Sequence, residues 1–124
     1  MTGKRVLSVG QCLADHGGIS RLLRGSFAAE VVPAASALEA LGRLRQEAFA
    51  LVLVNRVFDA TGEGGLDFIR RLKGDRQLAG VPAMLVSNFP EAQEEAAAAG
   101  AVPGFGKSAL HEHQTLDTLR PYVS

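Results

Sequence analysis

The sequence predicts a parallel α/β sheet covered by helices on both faces. Three observations carry that expectation. The run Ala50–Asn55 (Ala-Leu-Val-Leu-Val-Asn) is unbroken apolar chain that ends abruptly in an amide, as a strand buried on both faces requires. Further short apolar runs alternate with segments of helical periodicity along the chain. Such alternation implies parallel pairing with right-handed crossovers.

Arg5–Val9 reads as the first strand, stopped by Gly10. Ile19, Leu22, Leu23 and Phe27 follow at helical spacing, with Gly17-Gly18 weakening the helix start. Glu30-Val31-Val32 is a short second strand closed by Pro33. Ser36 with Glu39 makes a capping box opening a helix whose Leu38, Leu41 and Leu44 share one stripe.

After the central strand comes a loop, Arg56–Gly65, whose order the sequence leaves open. Leu66, Ile69 and Leu72 then pattern a third helix, with Arg70, Arg71 and Lys73 towards solvent. Ala83–Val86 is the fourth strand, ending in Ser87-Asn88. Pro90 suits the first turn of the alanine-rich helix Glu91–Ala99, which Gly100 stops. Ala101–Gly106, with Pro103 and two glycines, is a weak fifth strand suited to a sheet edge. Leu110–Val123 is the last helix, with Leu116, Leu119 and Val123 inward.

Composition bounds the function. The 124 residues fit one domain, and 47% hydrophobic with 21% charged residues favours a packed core over disorder. Thirteen basic and thirteen acidic residues balance, which argues against a domain built to neutralise nucleic-acid phosphates. One cysteine, Cys12, excludes a disulfide framework and a thiolate metal cluster; a small buried hydrophobe is its expected role. No apolar run reaches the roughly 18 residues of a membrane span, and no signal-peptide pattern opens the chain. The expectation is a cytoplasmic domain, neither membrane-bound nor bound directly to nucleic acid.

The polar residues past each strand converge on one edge of such a sheet. They are Gly10-Gln11, Asn55, Ser87-Asn88 and Lys107. From Arg5 to Val123 the chain resembles the receiver domains of two-component response regulators. The resemblance rests on Arg5–Val9, Ala35–Leu41, Phe49–Val54, Gly65–Leu72 and Gly80–Ser87, and on the seven-residue step from Gly100 to Lys107. It implies a flavodoxin-like, doubly wound (βα)5 sandwich with a central five-stranded parallel sheet. In that family an acidic pair and an aspartate at the third strand's end bind Mg²⁺. The aspartate accepts a phosphoryl group from a histidine kinase, while a hydroxyl and a lysine contact its oxygens.

By position, Ser87 matches the hydroxyl and Lys107 the lysine, whereas Gly10 and Gln11 replace the acidic pair and Asn55 the acceptor. An amide does not form an acyl phosphate, and Mg²⁺ prefers carboxylate-containing ligand sets. No Mg²⁺ or other cofactor, and no catalysis, is therefore expected. The family's switch aromatic is Gly104 here, Ser108 stands where a proline follows the lysine, and the loop after Asn55 is about two residues longer. The resemblance implies an atypical receiver, signalling through protein partners such as a kinase or output protein. The surface of the fourth helix, fifth strand and fifth helix is the expected dimer or output face.

Two readings of the strand-end cluster stay open. With no carboxylate beside it, Lys107 facing Ser87 and Asn55 makes a small-anion or nucleotide sensor. Alternatively the three side chains simply hydrogen-bond one another. Asp59 on the loop is a conceivable relocated acceptor. His111 and His113 stand two apart, which does not place them on one helical face as a metal pair. No Gly-rich phosphate loop follows the first strand, and Ser87 lacks a nucleophile-elbow context.

Overall fold

The computed structural model describes residues 3–124. Four parallel strands, β1 (Arg5–Val9), β2 (Glu30–Ala34), β3 (Leu51–Asn55) and β4 (Ala83–Val86), lie in the order β2-β1-β3-β4. Five helices connect and follow them: α1 (Leu13–Phe27), α2 (Ala37–Gln46), α3 (Gly65–Gly74), α4 (Pro90–Ala98) and α5 (His113–Val123). The order reverses beside β1, so the crevice at the carboxyl ends of β1 and β3 is a topological switch point, where open α/β sheets place their sites.

Every residue of β3 is buried, as its unbroken apolar run predicts. Successive side chains point to opposite faces. Leu51 and Leu53 join Ile19 and Leu23 of α1 and Leu119 and Val123 of α5. Val52 and Val54 pack with Leu41 of α2, Ile69 and Leu72 of α3 and Ala96 of α4. The sheet thus carries two separate apolar layers, each needing its own helices.

The fifth predicted strand is reduced to a segment along β4. Val102 N donates to Ala83 O (2.9 Å) and Ser87 N to Phe105 O (3.0 Å), with one parallel bridge between Val86 and Phe105. The interruption has a cause in sequence. Pro103 has no N–H to donate, and the Gly104 backbone presses so closely on β4 that a β-carbon would lie 2.2 Å from Leu85 O. Gln93 of α4 secures the seam, its Nε2 donating to Leu85 O (2.9 Å) and Ser87 O (3.1 Å).

Other local expectations need correction. Helix α1 begins at Leu13 and runs through Gly17-Gly18, because Cys12 caps it: its Sγ accepts from Asp15 N at 3.4 Å. Gly18 also lets the helix approach Leu110, whose Cδ2 would lie 3.2 Å from an added β-carbon. In α2 the capping box forms, Ser36 Oγ accepting from Glu39 N at 3.1 Å, but the buried stripe is Ala37, Ala40, Leu41 and Leu44. Leu38 is 79% exposed. In α3 the buried side chains are Phe68, Ile69 and Leu72, with Leu66 only half-buried. Lys73 is half-buried and donates to Ala79 O (3.0 Å) and Val81 O (2.8 Å), and burial lowers its pKa. Helix α5 starts at His113, after a 3-10 turn at Lys107–Ala109, and buries Thr115, Leu119 and Val123; Leu116 is half-buried. Thr115 Oγ1 donates to Ala109 O at 2.6 Å, which satisfies the buried hydroxyl.

Candidate functional site

The site is built where β1 and β3 end side by side. Gly10 leaves β1 with φ of +75°, and its carbonyl accepts from Asp59 N at 2.9 Å. Asn55 closes β3 and is 6% exposed. Its Nδ2 donates to Gly10 O (2.9 Å) and to Val57 O (2.7 Å), so both amide hydrogens are committed to backbone carbonyls. The residue is a strap between the end of β1 and the loop after β3.

That loop, Arg56–Gly65, is a hydrogen-bonded hairpin. Val57 bridges Gly64 in antiparallel fashion, Phe58 N donates to Glu63 O (2.8 Å), and Gly62 N returns to Phe58 O (2.8 Å). Glu63 ties the hairpin to α2, its Oε1 accepting from Ala37 N (3.1 Å) and from Thr61 Oγ1 (2.8 Å). Gly65 closes it against the strand end, where a β-carbon would lie 2.0 Å from Asn55 O.

The hairpin drives Phe58 into the switch-point crevice. Phe58 is 1% exposed and meets Phe68 edge-on, ring centroids 5.9 Å apart at 62°. A β-carbon at Gly10 would fall 2.3 Å from the Phe58 Cδ1. The space over Gly10 is therefore taken by an aromatic ring, and no larger side chain fits there without displacing it. The sequence reading missed Phe58; the extra loop length was the available signal, since added chain must go somewhere.

The two positions of the expected acidic pair thus hold no carboxylate and little room. Gln11 follows with its side-chain nitrogen and oxygen shut off from solvent and without a partner among the described residues. On α1, burial lowers the pKa of His16, and its Nδ1 is likewise buried and unpartnered among the described residues.

On the other side of Asn55 a polar cleft of about 390 Å³ opens, reaching Asp15, Asp59, Ser87, Asn88 and Lys107. Lys107 Nζ pairs with Asp15 Oδ2 at 3.0 Å, both side chains about one-third exposed. This corrects the expectation that no carboxylate stands beside the lysine. Burial works to raise the Asp15 carboxyl, but hydrogen bonds from Lys107 and the Cys12 thiol outweigh it and hold the pKa below the ordinary value. Ser87 Oγ accepts from Phe89 N at 3.2 Å, and Asn88 Oδ1 accepts from Ser108 N (3.0 Å) and Ser108 Oγ (3.1 Å). Asn55, Ser87 and Lys107 share the cleft without bonding one another; each is partnered elsewhere.

Cys12 is half-buried at the cleft wall and caps α1, a polar role beyond that of a small hydrophobe. Gly104 carries no ring, and the neighbouring Phe105 is turned into the core with Ile19 and Leu119. His111 and His113 are exposed, His113 Nε2 standing 3.5 Å from Asp117 Oδ2. The donor set does not fit Mg²⁺: of the two carboxylates on the cleft, Asp15 is tied to an ammonium, which leaves Asp59 alone, and Gly10 supplies no side-chain oxygen. No group of three metal-ligating side chains occurs among the described residues.

No protein-family model matches the sequence, and no curated protein sequence matches it. Solved structures do. The chemotaxis response regulator CheY4 of Vibrio cholerae is 23% identical, with a TM-score of 0.74 over 98% of this chain and 100% of that one. A putative response regulator from Chloroflexus aurantiacus is 18% identical, with a TM-score of 0.77 over 96% of this chain and 99% of that one. The signal receiver domain of a signal transduction histidine kinase from Syntrophus aciditrophicus is 17% identical, with a TM-score of 0.71 over 95% of this chain and 91% of that one. The fold is that of response-regulator receiver domains, α/β and flavodoxin-like, with a four-stranded sheet and a bridging fifth segment.

Proposed function

We propose that this chain is a pseudo-receiver, a signalling module that works by binding protein partners without being phosphorylated. The observation that supports it is Asn55. It stands at the end of β3, where the resemblance calls for a nucleophilic carboxylate, and spends both amide hydrogens on Gly10 O and Val57 O. An amide held in that way neither attacks phosphorus nor binds a metal through its nitrogen. No enzymatic step is assigned to the chain, and its partners are signalling proteins of the kinase or output type. No helix among the described residues is long and apolar enough to cross a membrane.

The anion-sensor reading is less favoured. Of its two cations, Lys107 already has a carboxylate partner and Arg56 is laid over the Phe89 ring, and an anion entering the cleft would meet both Asp15 and Asp59.

The test is exposure to acetyl phosphate with Mg²⁺, read by intact mass beside a receiver that accepts phosphate under the same conditions. The expected mass is unchanged. A stable Mg²⁺-dependent gain of one phosphoryl group, mapped to Asp59 or any other carboxylate, overturns the proposal. Restoring the acids through Asn55→Asp, Gly10→Asp and Gln11→Asp needs Phe58→Ala as well, because Phe58 occupies the space over Gly10.

A further inference from the structure

Away from the strand-end cleft, an open groove of about 500 Å³ runs between the hairpin and the first turns of α3 and α4. Its floor and walls are apolar: Val57, Leu66, Leu85, Phe89 and Ala92. Phe89 is 53% exposed and Val57 44% exposed, two of the exposed large hydrophobic side chains among the described residues. Exposed aromatic and aliphatic side chains collected in one concavity are the usual anchor points of a protein interface.

The charge around the groove is one-sided. Asp67, Glu91 and Glu95 stand on it against a single cation, Arg56, whose guanidinium is already laid over the Phe89 ring at 4.9 Å. Among the described residues Glu91 and Glu95 have no ion-pair partner, and Asp67 has only the exposed Arg70 at 3.5 Å. Glu91 and Glu95 are four residues apart on α4, a like-charge spacing that destabilises a helix unless a cation lies between them. The dipole at the start of α4 favours Glu91, but Glu95 stands a turn further on.

We infer that this groove receives a basic amphipathic segment of a partner protein, an apolar side chain seated on Phe89 and Leu66 with Lys or Arg beside it meeting Glu91 and Glu95. The carboxylates exclude phosphate-bearing ligands and anionic lipid surfaces by repulsion. A purely apolar occupant would strip water from them without compensation. The inference rests on the reading of the chain as a partner-binding module and names the chemistry of one partner surface.

The probe is a synthetic helical peptide with leucines at i and i+4 and flanking lysines, titrated against the unphosphorylated protein without Mg²⁺ and followed by amide chemical shifts. The expected result is saturable shifts at Val57, Leu66, Phe89 and Ala92, absent when the lysines are replaced by glutamates. Phe89→Ala and the pair Glu91→Lys with Glu95→Lys should each weaken binding about tenfold or more. Glu94→Lys, the same charge change on α4 outside the groove, should leave it unaltered. No shifts, shifts elsewhere, or equal loss with Glu94→Lys overturns the inference. Concentration-dependent shifts in the same amides without peptide would assign the groove to a second copy, and binding to anionic vesicles would assign it to lipid; either also overturns it. A null titration on a protein that resists acetyl phosphate removes only the groove, whereas phosphorylation removes the pseudo-receiver reading whatever the titration shows.

Discussion

The two flanks of Asn55 have gone different ways. Towards β1 the crevice is dry and filled: Phe58 lies against Gly10, backed by Phe68, and Asn55 seals it with two hydrogen bonds. Towards β4 it is polar and open, with Ser87, Asn88, Asp15 and Lys107 around a cleft. A receiver-like site with its acids simply replaced would leave space on both flanks. Here the flank at Gly10 is packed as core, while the flank beside the Ser87 hydroxyl and the Lys107 ammonium stays open. The proposed absence of phosphoryl transfer therefore rests on packing as well as on residue identity.

The largest effect should come from opening the filled flank. Phe58→Ala removes a buried ring and its edge-on contact with Phe68, at a cost of about 3–5 kcal/mol. Gly10→Ala adds the penalty of a left-handed backbone, about 1–2 kcal/mol, and a collision with the ring. In the double variant the collision disappears, so urea denaturation should show a loss smaller than the sum by about 1 kcal/mol or more. Strict additivity would mean that Phe58 does not seal Gly10, and the contrast between the flanks would fail.

Next in size is Asn55→Asp. The change looks conservative and matches the acceptor residue of the resembling family, yet it deletes both amide donors. An ionised carboxylate would then face the Gly10 and Val57 carbonyl oxygens in a buried place, at a cost of about 3 kcal/mol. Burial and repulsion favour the neutral acid, so the loss should be greater at about pH 8 than at about pH 4. An unchanged or raised denaturation midpoint at neutral pH would show that the strap is dispensable.

The sequence already displayed much of this arrangement. Alternating apolar runs and helical stripes gave the strand and helix order, because β3 is buried on both faces and cannot hide its pattern. Gly10, Asn55 and Ser87 were legible for the same reason, since each closes or directly follows its strand, whereas Lys107 follows a segment that forms only a bridge to β4. What the sequence did not display are contacts between distant segments. Nothing local to Asp15 marks it as the partner of Lys107, 92 positions away, and nothing local to Phe58 says that Gly10 lies beneath it. Leu38 and Lys73 misled in opposite directions, since periodicity fixes a face only to within about one position in a helical turn. The fifth strand failed where sequence counselled caution, at Pro103 and Gly104.

The open flank should answer weakly to substitution, and that weakness sharpens the contrast. Ser87→Ala removes one acceptor from the backbone N–H that leads into α4, a loss of about 1 kcal/mol in thermal or urea denaturation. A loss as large as that of Asn55→Asp would mean that both flanks are equally structural.

Smallest of all should be the Asp15–Lys107 pair. Its side chains are each about one-third exposed, so solvent screens the attraction and either Lys107→Ala or Asp15→Asn should cost less than about 1 kcal/mol at neutral pH. The pH dependence separates it from a merely decorative contact. Although burial opposes ionisation, hydrogen bonding from Lys107 and Cys12 leaves the folded carboxyl below its ordinary value of 3.8. A depressed folded pKa adds stability that is present above that ordinary value and disappears as pH falls through the folded one. Asp15→Asn should therefore leave the wild type more stable at neutral pH and converge with it in the acid range, the difference closing below about pH 4. A gap that stays constant with pH would show that the carboxylate's charge contributes nothing, leaving only its shape at the helix start.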